Sequence, residues 1–249
     1  MDLASLQSLL ERVAGARVAC VGDVMVDRFV YGRVDRVSPE APIPVLRTTR
    51  EEAMLGGAGN VARNLASLGG SAALVGAIGD DANATLALKL AEPERGVEAH
   101  LVPLRGRPTT VKTRFVAGGQ QLLRVDSENT QAPDREAEAK LIAAVEHACE
   151  GARAVLISDY AKGALSPAVI AACREAAKRA GAPVVVDPKG RDFARYGAVD
   201  LIKPNASELA GATDLPTGTD AEVEAALARA LETSEARAIV VTRAAQGMS

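Results

Sequence analysis

The sequence predicts an α/β protein: a doubly wound, mainly parallel sheet with helices on both faces, plus a small β-sheet lid. Three observations carry that expectation. Short apolar runs alternate with helix-length amphipathic segments along most of the 249 residues, which is the grammar of right-handed β-α-β crossovers. Two stretches, 28–52 and 109–126, break the rhythm with β-rich, helix-free sequence. Aromatic residues make up 2% of the chain and Trp is absent, so the core must rest on Ala, Val, Leu and Ile. That composition suits a sheet covered by Ala-rich helices, and the length allows one large core. A single domain over 1–249 is expected, with the two β stretches inserted as the lid.

The elements follow in order. The N-terminal "MDLASLQSLLERVAGARV" repeats Leu at helical spacing and carries Asp2, Glu11 and Arg12, which reads as an amphipathic helix and not a signal peptide. "RVACVGD" is a short apolar run ending in Gly-Asp, the look of a buried parallel strand. After Asn60, "VARNLASLGG" has helical spacing and stops on Gly69-Gly70, a C-cap signal. "AALVGAIGDD" is the next strand, with Asp80-Asp81 opening the helix "ANATLALKLA". The second half repeats the pattern, with a helix in "REAEAKLIAAVEHACEG" and a strand in "ARAVLISDY". "SPAVIAACREAAKRAG" is a helix with Ser166 as N-cap and Pro167 in its first turn. Strands in "PVVVDPK" and "VDLIKPN", short and long helices in "ASELAG" and "DAEVEAALARALETS", and a strand in "ARAIVVTR" complete the series. The 28–52 stretch is punctuated by proline, and 109–126 reads as a hairpin around Gly118-Gly119. A lid built from them would lie over the carboxyl ends of the strands, where β-α loops converge on a site.

Composition removes several function classes. The net charge is −3 and no Lys/Arg block stands out, which argues against nucleic acid. No apolar run reaches the ~18 residues of a spanning helix, so no membrane partner is expected. Cys20, Cys149 and Cys173 lack C-x-x-C or zinc spacing and read as reduced thiols of a cytoplasmic protein. His100 and His147 are too few and too isolated in sequence for a metal site or a Ser/His/Asp triad.

The glycine cluster in "LGGAGNVARN" asks for a close backbone approach or a tight turn. Asn60 and Val61 stand where a P-loop has Lys-Ser/Thr, so the turn is no nucleotide cradle. Asn60 has both donor and acceptor capacity, and Asp27 follows the first strand; a helix cap and a solvated loop acid are the local alternatives. In the hairpin, Lys112 and Arg114 share one strand face. A regular loop about Gly118-Gly119 would pair Arg124 with Thr113 on the other face, unless a glycine bulge brought it round. Asn205 and Glu208 lie three apart at a helix start, which a capping box explains locally. Asp159 and Lys162 in "SDYAKG", and Asp187 and Lys189 in "VDPK", end successive strands at the carboxyl edge; surface ion pairs would also account for them.

Seven stretches in one order, "VGDVMVDRF", "GGAGNVARN", "VGAIGDD", "SDYAKG", "VDPK", "KPNASE" and "VTRAAQG", resemble the ribokinase-type (PfkB-like) family of carbohydrate kinases. "GDVMVDRFVYGRVDRVSPEAPIPV", "LGGAGNVARNLASLGG" and "QQLLRVD" followed by "SDYAKGALS" are similar to heptose 7-phosphate kinases of lipopolysaccharide core synthesis. The resemblance implies a ribokinase-like three-layer fold and transfer of phosphate from ATP, with Mg²⁺, to a sugar phosphate. It implies substrate contacts from Asp27, Gly56, Gly57, Asn60, Arg114, Arg124, Asp159 and Lys162. Nucleotide contacts would come from Asp187, Lys189, Asn205, Glu208, Thr242, Arg243 and Gly247, with Asn205 and Glu208 around the metal and its waters. A homodimer through the lid is also implied. The family's catalytic Asp lies in a Gly-Ala-Gly-Asp turn; "GAIGDD" and "LAGATD" occupy the wrong positions, so that turn is expected beyond Ser249, in a chain incomplete at its C-terminus and inactive alone. A sugar-phosphate binder without catalysis, or a kinase for another sugar, is the alternative.

Overall fold

The computed structural model describes residues 2–92 and 96–249. Its strands are β1 (Arg17–Val37), β2 (Pro44–Gly57), β3 (Ser71–Ile78), β4 (Val97–Pro103), β5 (Val111–Ala117), β6 (Gln120–Ser127), β7 (Ala154–Ser158), β8 (Val184–Asp187) and β9 (Leu201–Ile202). Its helices are α1 (Leu3–Val13), α2 (Ala58–Ser67), α3 (Ala82–Ala91), α4 (Arg135–Ala148), α5 (Pro167–Ala180), α6 (Ala206–Thr213) and α7 (Asp220–Thr233). The main sheet has the order β4-β3-β1-β7-β8-β9, and every neighbouring pair is parallel.

Side-chain alternation divides the core into two layers, one on each face of this sheet. Ala19, Val21, Ala73 and Val75 pack with Leu141 and Val145 of α4, Ile170 and Cys173 of α5, and Ala226 of α7. Cys20, Ala72 and Leu74 point the other way, toward Ala58 and Ala62 of α2 and Ala87 of α3. Alanine at the contact positions brings helix backbones close to the strands, so few aromatic side chains are needed. Helix starts carry the predicted caps: Asp81 accepts from Ala84 N, Asp134 from Ala137 N and Ser166 from Val169 N. Gly181 closes α5 in the left-handed conformation. All three cysteines are free and buried, and burial pushes the Cys20 thiol up to about 12. Among the described residues, no helix is long and apolar enough to cross a membrane.

Several expectations are corrected. The first strand does not stop at Asp23: Val24, Val26, Phe29, Val30 and Tyr31 keep the chain extended, and β1 runs on to Val37. The lid, in the order β2-β1-β5-β6, therefore shares β1 with the main sheet. The helix expected after Asn60 begins earlier, at Ala58, so Asn60 sits in its first turn. Strand β4 escaped the sequence reading because, as an edge strand, "VEAHLVP" is only partly buried and shows no apolar run. The strand expected in "ARAIVVTR" is reduced to bridges from Ile202 to Ile239 and from Asn205 to Thr242. Helix α1 forms as predicted but buries no residue; Leu3, Leu6, Leu9 and Leu10 are exposed.

In the lid hairpin, Phe115 pairs with Leu123 while Val116 pairs with Gln121. Leu122 is thus an extra residue. This bulge places Arg124 opposite Arg114 and not opposite Thr113. A bulge does bring Arg124 round, but it is made by a leucine.

Candidate functional site

The lid presents one charged face. Asp27 lies in register with Lys112, and Phe29 with Arg114, between β1 and β5; Arg114 in turn faces Arg124, and Lys112 faces Asp126, on β6. In-register residues point to the same side of a sheet. Arg114 donates to Asp27 Oδ1 at 2.5 Å and covers the Phe29 ring at 5.2 Å. Arg124 donates to Asp126 at 2.9 Å, and Lys112 donates to the same carboxylate at 2.8 Å. The hydrogen bond from Lys112 leads the effects that hold the Asp126 carboxyl below its ordinary value.

The glycine turn meets this face from β2. A Cβ on Gly56 would collide with Asp27 Oδ2, and one on Gly57 with the backbone oxygen of Asp23. Gly57 also has φ +58°, a conformation that suits glycine. These two positions therefore exist so that the backbone can lie against the acids of β1. Asn60 is exposed one turn on, and among the described residues its side chain has no hydrogen-bond partner.

The "SDYAKG" loop is fixed from beneath by an acid that sequence reasoning passed over. Asp23, 2% exposed, accepts from the backbone amides of Tyr160, Lys162 and Ala164 at 2.8, 3.0 and 3.0 Å. Burial raises its pKa against those three bonds. Gly22 is required just before it, since a Cβ there would strike the backbone of Ser158. Asp159 differs from the sequence expectation. Its side chain, 1% exposed, is turned inward to Arg195, the Tyr196 hydroxyl and the Ala161 amide, so it shapes the loop and does not reach the cleft. Ala161 is held at φ +55°, a strained conformation for a residue with a Cβ. Lys162 does join the lid: its Nζ lies 2.8 Å from Glu128, which also sits 3.5 Å from Lys112.

The other half lies at the ends of β8 and β9. Asp187 pairs with Lys203 at 2.9 Å and Lys189 with Glu208 at 3.0 Å. Asn205 and Glu208 form the full reciprocal capping box: the Asn205 side chain accepts from Glu208 N and the Glu208 carboxylate accepts from Asn205 N. That uses Glu208 Oε2 and leaves Oε1 facing Lys189. Asn205, Ser207, Thr242, Ala244 and Gly247 border an open hollow of about 530 Å³. Thr242 bridges Asn205, and Arg243 N donates to the Gly247 carbonyl at 2.8 Å. The Arg243 side chain departs from expectation: it donates to Asp220 at 2.7 Å and to Ser249, and is 8% exposed.

Tyr160 links the two halves. Burial raises its hydroxyl pKa, and the carboxylates of Asp187, Asp27, Glu208 and Asp23 add to the rise. The phenol thus feels acids from both the lid side and the ends of β8 and β9. It was legible only as the middle of "SDYAKG", where its charged neighbours drew attention away. For a metal, this edge offers oxygen donors, the carboxylates of Asp187 and Glu208 and the amide oxygen of Asn205, with Lys189 and Lys203 alongside. That chemistry fits Mg²⁺ held largely through its waters.

Known proteins resemble this chain in sequence and in fold. Residues 16–249 match the model of the pfkB family carbohydrate kinases. The chain is 54% identical over 244 residues to the bifunctional protein HldE of Hyphomonas neptunium, covering 98% of this chain and 50% of that protein. It is 49% identical over 247 residues to the HldE of Caulobacter vibrioides, with 98% and 50% covered. The chain spans about half the length of these relatives. In fold it resembles the tetrameric inhibited form of Escherichia coli phosphofructokinase-2, with TM-score 0.73 and 23% identity over 94% of this chain and 75% of that one. Arabidopsis thaliana ribokinase, solved with ribose and ATP, follows at TM-score 0.63 and 21% identity over 94% and 74%. Built on this ribokinase-like frame, the chain belongs to the pfkB family of carbohydrate kinases.

Proposed function

We propose that this chain binds a sugar phosphate beneath the lid and ATP across the carboxyl edge of the main sheet. The reaction is transfer of the γ-phosphate to the anomeric hydroxyl of D-glycero-β-D-manno-heptose 7-phosphate. The product is the 1,7-bisphosphate of ADP-heptose biosynthesis. The observation that carries this reading is the one-faced array of Asp27, Arg114 and Arg124, which combines a hydroxyl-binding acid with two guanidinium groups. Guanidinium forks match phosphate geometry, and an acid beside a glycine turn matches a polyol. We read 1–249 as one ribokinase-like domain with the lid inserted in it.

In this reading Asp27 and Asn60 hold sugar hydroxyls, Gly56 and Gly57 let the sugar reach the backbone, and Arg114, Arg124 and Lys162 hold its phosphate. Asn205, Thr242 and the Gly247 loop receive the triphosphate, with Asp187, Lys189 and Glu208 beside it. Asn205 and Glu208 would hold Mg²⁺ through its waters, and the ion would supply positive charge to offset the negative charge that develops on transfer. Tyr160 fills the space between the two substrates. No residue described here is given the role of proton acceptor. The lid face opposite Arg124 exposes Leu123 and Val125, and we assign it to a second copy of the chain, which would cover this apolar edge.

Calorimetry and ADP release test the proposal together. The heptose phosphate should bind, and Asn60→Ala should weaken that binding about tenfold, on the scale of one lost hydrogen bond, with ATP binding unchanged. Heptose phosphate binding without ADP release from the full-length protein would leave a binder and not a kinase. Preference for fructose 6-phosphate would refute the heptose assignment.

A further inference from the structure

The chain has two histidines, and the fold brings them together. His100 lies on edge strand β4 and His147 in the last turn of α4, with ring centroids 5.3 Å apart. Glu98, two residues before His100 and so on the same strand face, places Oε1 at 3.0 Å from His100 Nε2 and 3.7 Å from His147 Nε2. All three donor atoms lie within 4.8 Å of one another. Four-coordinate zinc, with bonds of about 2.0–2.1 Å, sets its donors roughly 3.3 Å apart. The observed spacings bracket that value. The isolation of the histidines in sequence does not survive folding.

We propose that Glu98, His100 and His147 form a binding site for a zinc-class divalent ion, separate from the substrate cleft. Three further features point to a ligand. His100 Nε2 is enclosed and has Glu98 Oε1 at 3.0 Å but no well-formed hydrogen bond. Arg17 donates to Glu98 Oε2 at 2.9 Å, which orients the carboxylate and leaves Oε1 for the ion, the role an outer-shell partner plays in metal sites. Glu98 is also half exposed, so a water can complete a tetrahedral set. Two imidazoles and one carboxylate select zinc-class ions over Mg²⁺, which takes oxygen ligands.

The location defines what the ion does. Glu98 and His100 lie level with Ala73 and Val75 of β3, and through them with Ala19 and Val21 of β1, so β3 stands between these ligands and the strand that carries Asp23 to the cleft. The ion therefore sits on the lateral β4 edge of the main sheet and outside the cleft. It ties the edge strand β4 to α4, and binding only the folded form it stabilises that form by mass action.

The test uses the untagged full chain and metal alone. Because the chain has two histidines, their imidazole C2–H proton resonances can be followed without any substitution. Zn²⁺ should shift both signals together and saturate at one ion per chain, in the presence of excess Mg²⁺. Co²⁺ should give a tetrahedral spectrum lacking a thiolate charge-transfer band. His147→Gln, at a half-exposed position, should retain the fold and weaken Zn²⁺ by at least about tenfold, the lower bound for loss even of an outer-shell partner. Movement of neither signal or of only one, a thiolate band, or undiminished affinity in His147→Gln would each overturn the proposal.

Discussion

Arg114 and Arg124 stand directly opposite each other on neighbouring antiparallel strands. Like charges in that position repel, and here each has its own carboxylate, Asp27 for Arg114 and Asp126 for Arg124. A doubly cationic pair held this way is ready to receive an anion, and the arrangement depends on the single bulge at Leu122. Arg124→Gln leaves the bulge in place and removes one of the two guanidinium groups from this face. Sugar-phosphate affinity should fall at least tenfold, about 1.4 kcal/mol, with little change in thermal stability. Calorimetry on Arg124→Gln decides this, and unchanged affinity would remove Arg124 from the site.

Gly56 and Gly57 are adjacent but should fail differently. In Gly56→Ala the new methyl meets the end of the Asp27 side chain, which can move, so the fold should persist while sugar binding drops. In Gly57→Ala the methyl meets backbone, at φ +58°. Strain there costs roughly 1–3 kcal/mol before the collision is counted. Denaturant midpoints for the two variants, measured beside sugar affinity, should separate the effects; equal destabilisation would contradict the contrast.

Glu208 is asked to do two things, cap α6 and serve the metal. Glu208→Gln keeps an oxygen for the Asn205 amide, and a capping box accepts Gln. Stability should therefore change by less than about 1 kcal/mol, while the Mg²⁺ concentration for half-maximal rate rises several-fold in the full-length protein. A rate profile that superimposes on the wild type would confine Glu208 to capping.

Asp81 gives a pH dependence with a definite sign. Burial pushes its carboxyl up, but hydrogen bonds from Thr109 and from the Ala84 amide prevail and hold it below the ordinary value. A depressed value means that its stabilisation is present above the ordinary carboxylate range and lost as pH falls through the depressed value. Asp81→Asn should be less stable than wild type at neutral pH, and the gap should narrow below about pH 4. Urea midpoints at a series of pH values provide the check; a gap that widens in acid would reverse the sign.

Much of the main layer could be read from the chain because its signals are local. Ser166-Pro167 and Gly181 bracket α5, and "PVVVDPK" marks β8 by a run of valines. What escaped was set by tertiary contact. The extension of β1 depends on β2 and β5 pairing with it, and the bulge at Leu122 has no glycine to announce it. Asp159 points inward because Arg195 and Tyr196, some 36 and 37 residues later, arrive beside it. Asp23 was visible only as the end of a strand, since the three amides it organises belong to a loop far along the chain.

β1 belongs to both sheets at once, running unbroken from Arg17 beside β3 and β7 to Val37 beside β2. A cover joined through a continuous ribbon has no floppy tether to swing on. Closing it over a guest means coiling the ribbon itself, and that torque reaches Gly22 and Asp23, beneath the loop that carries Tyr160.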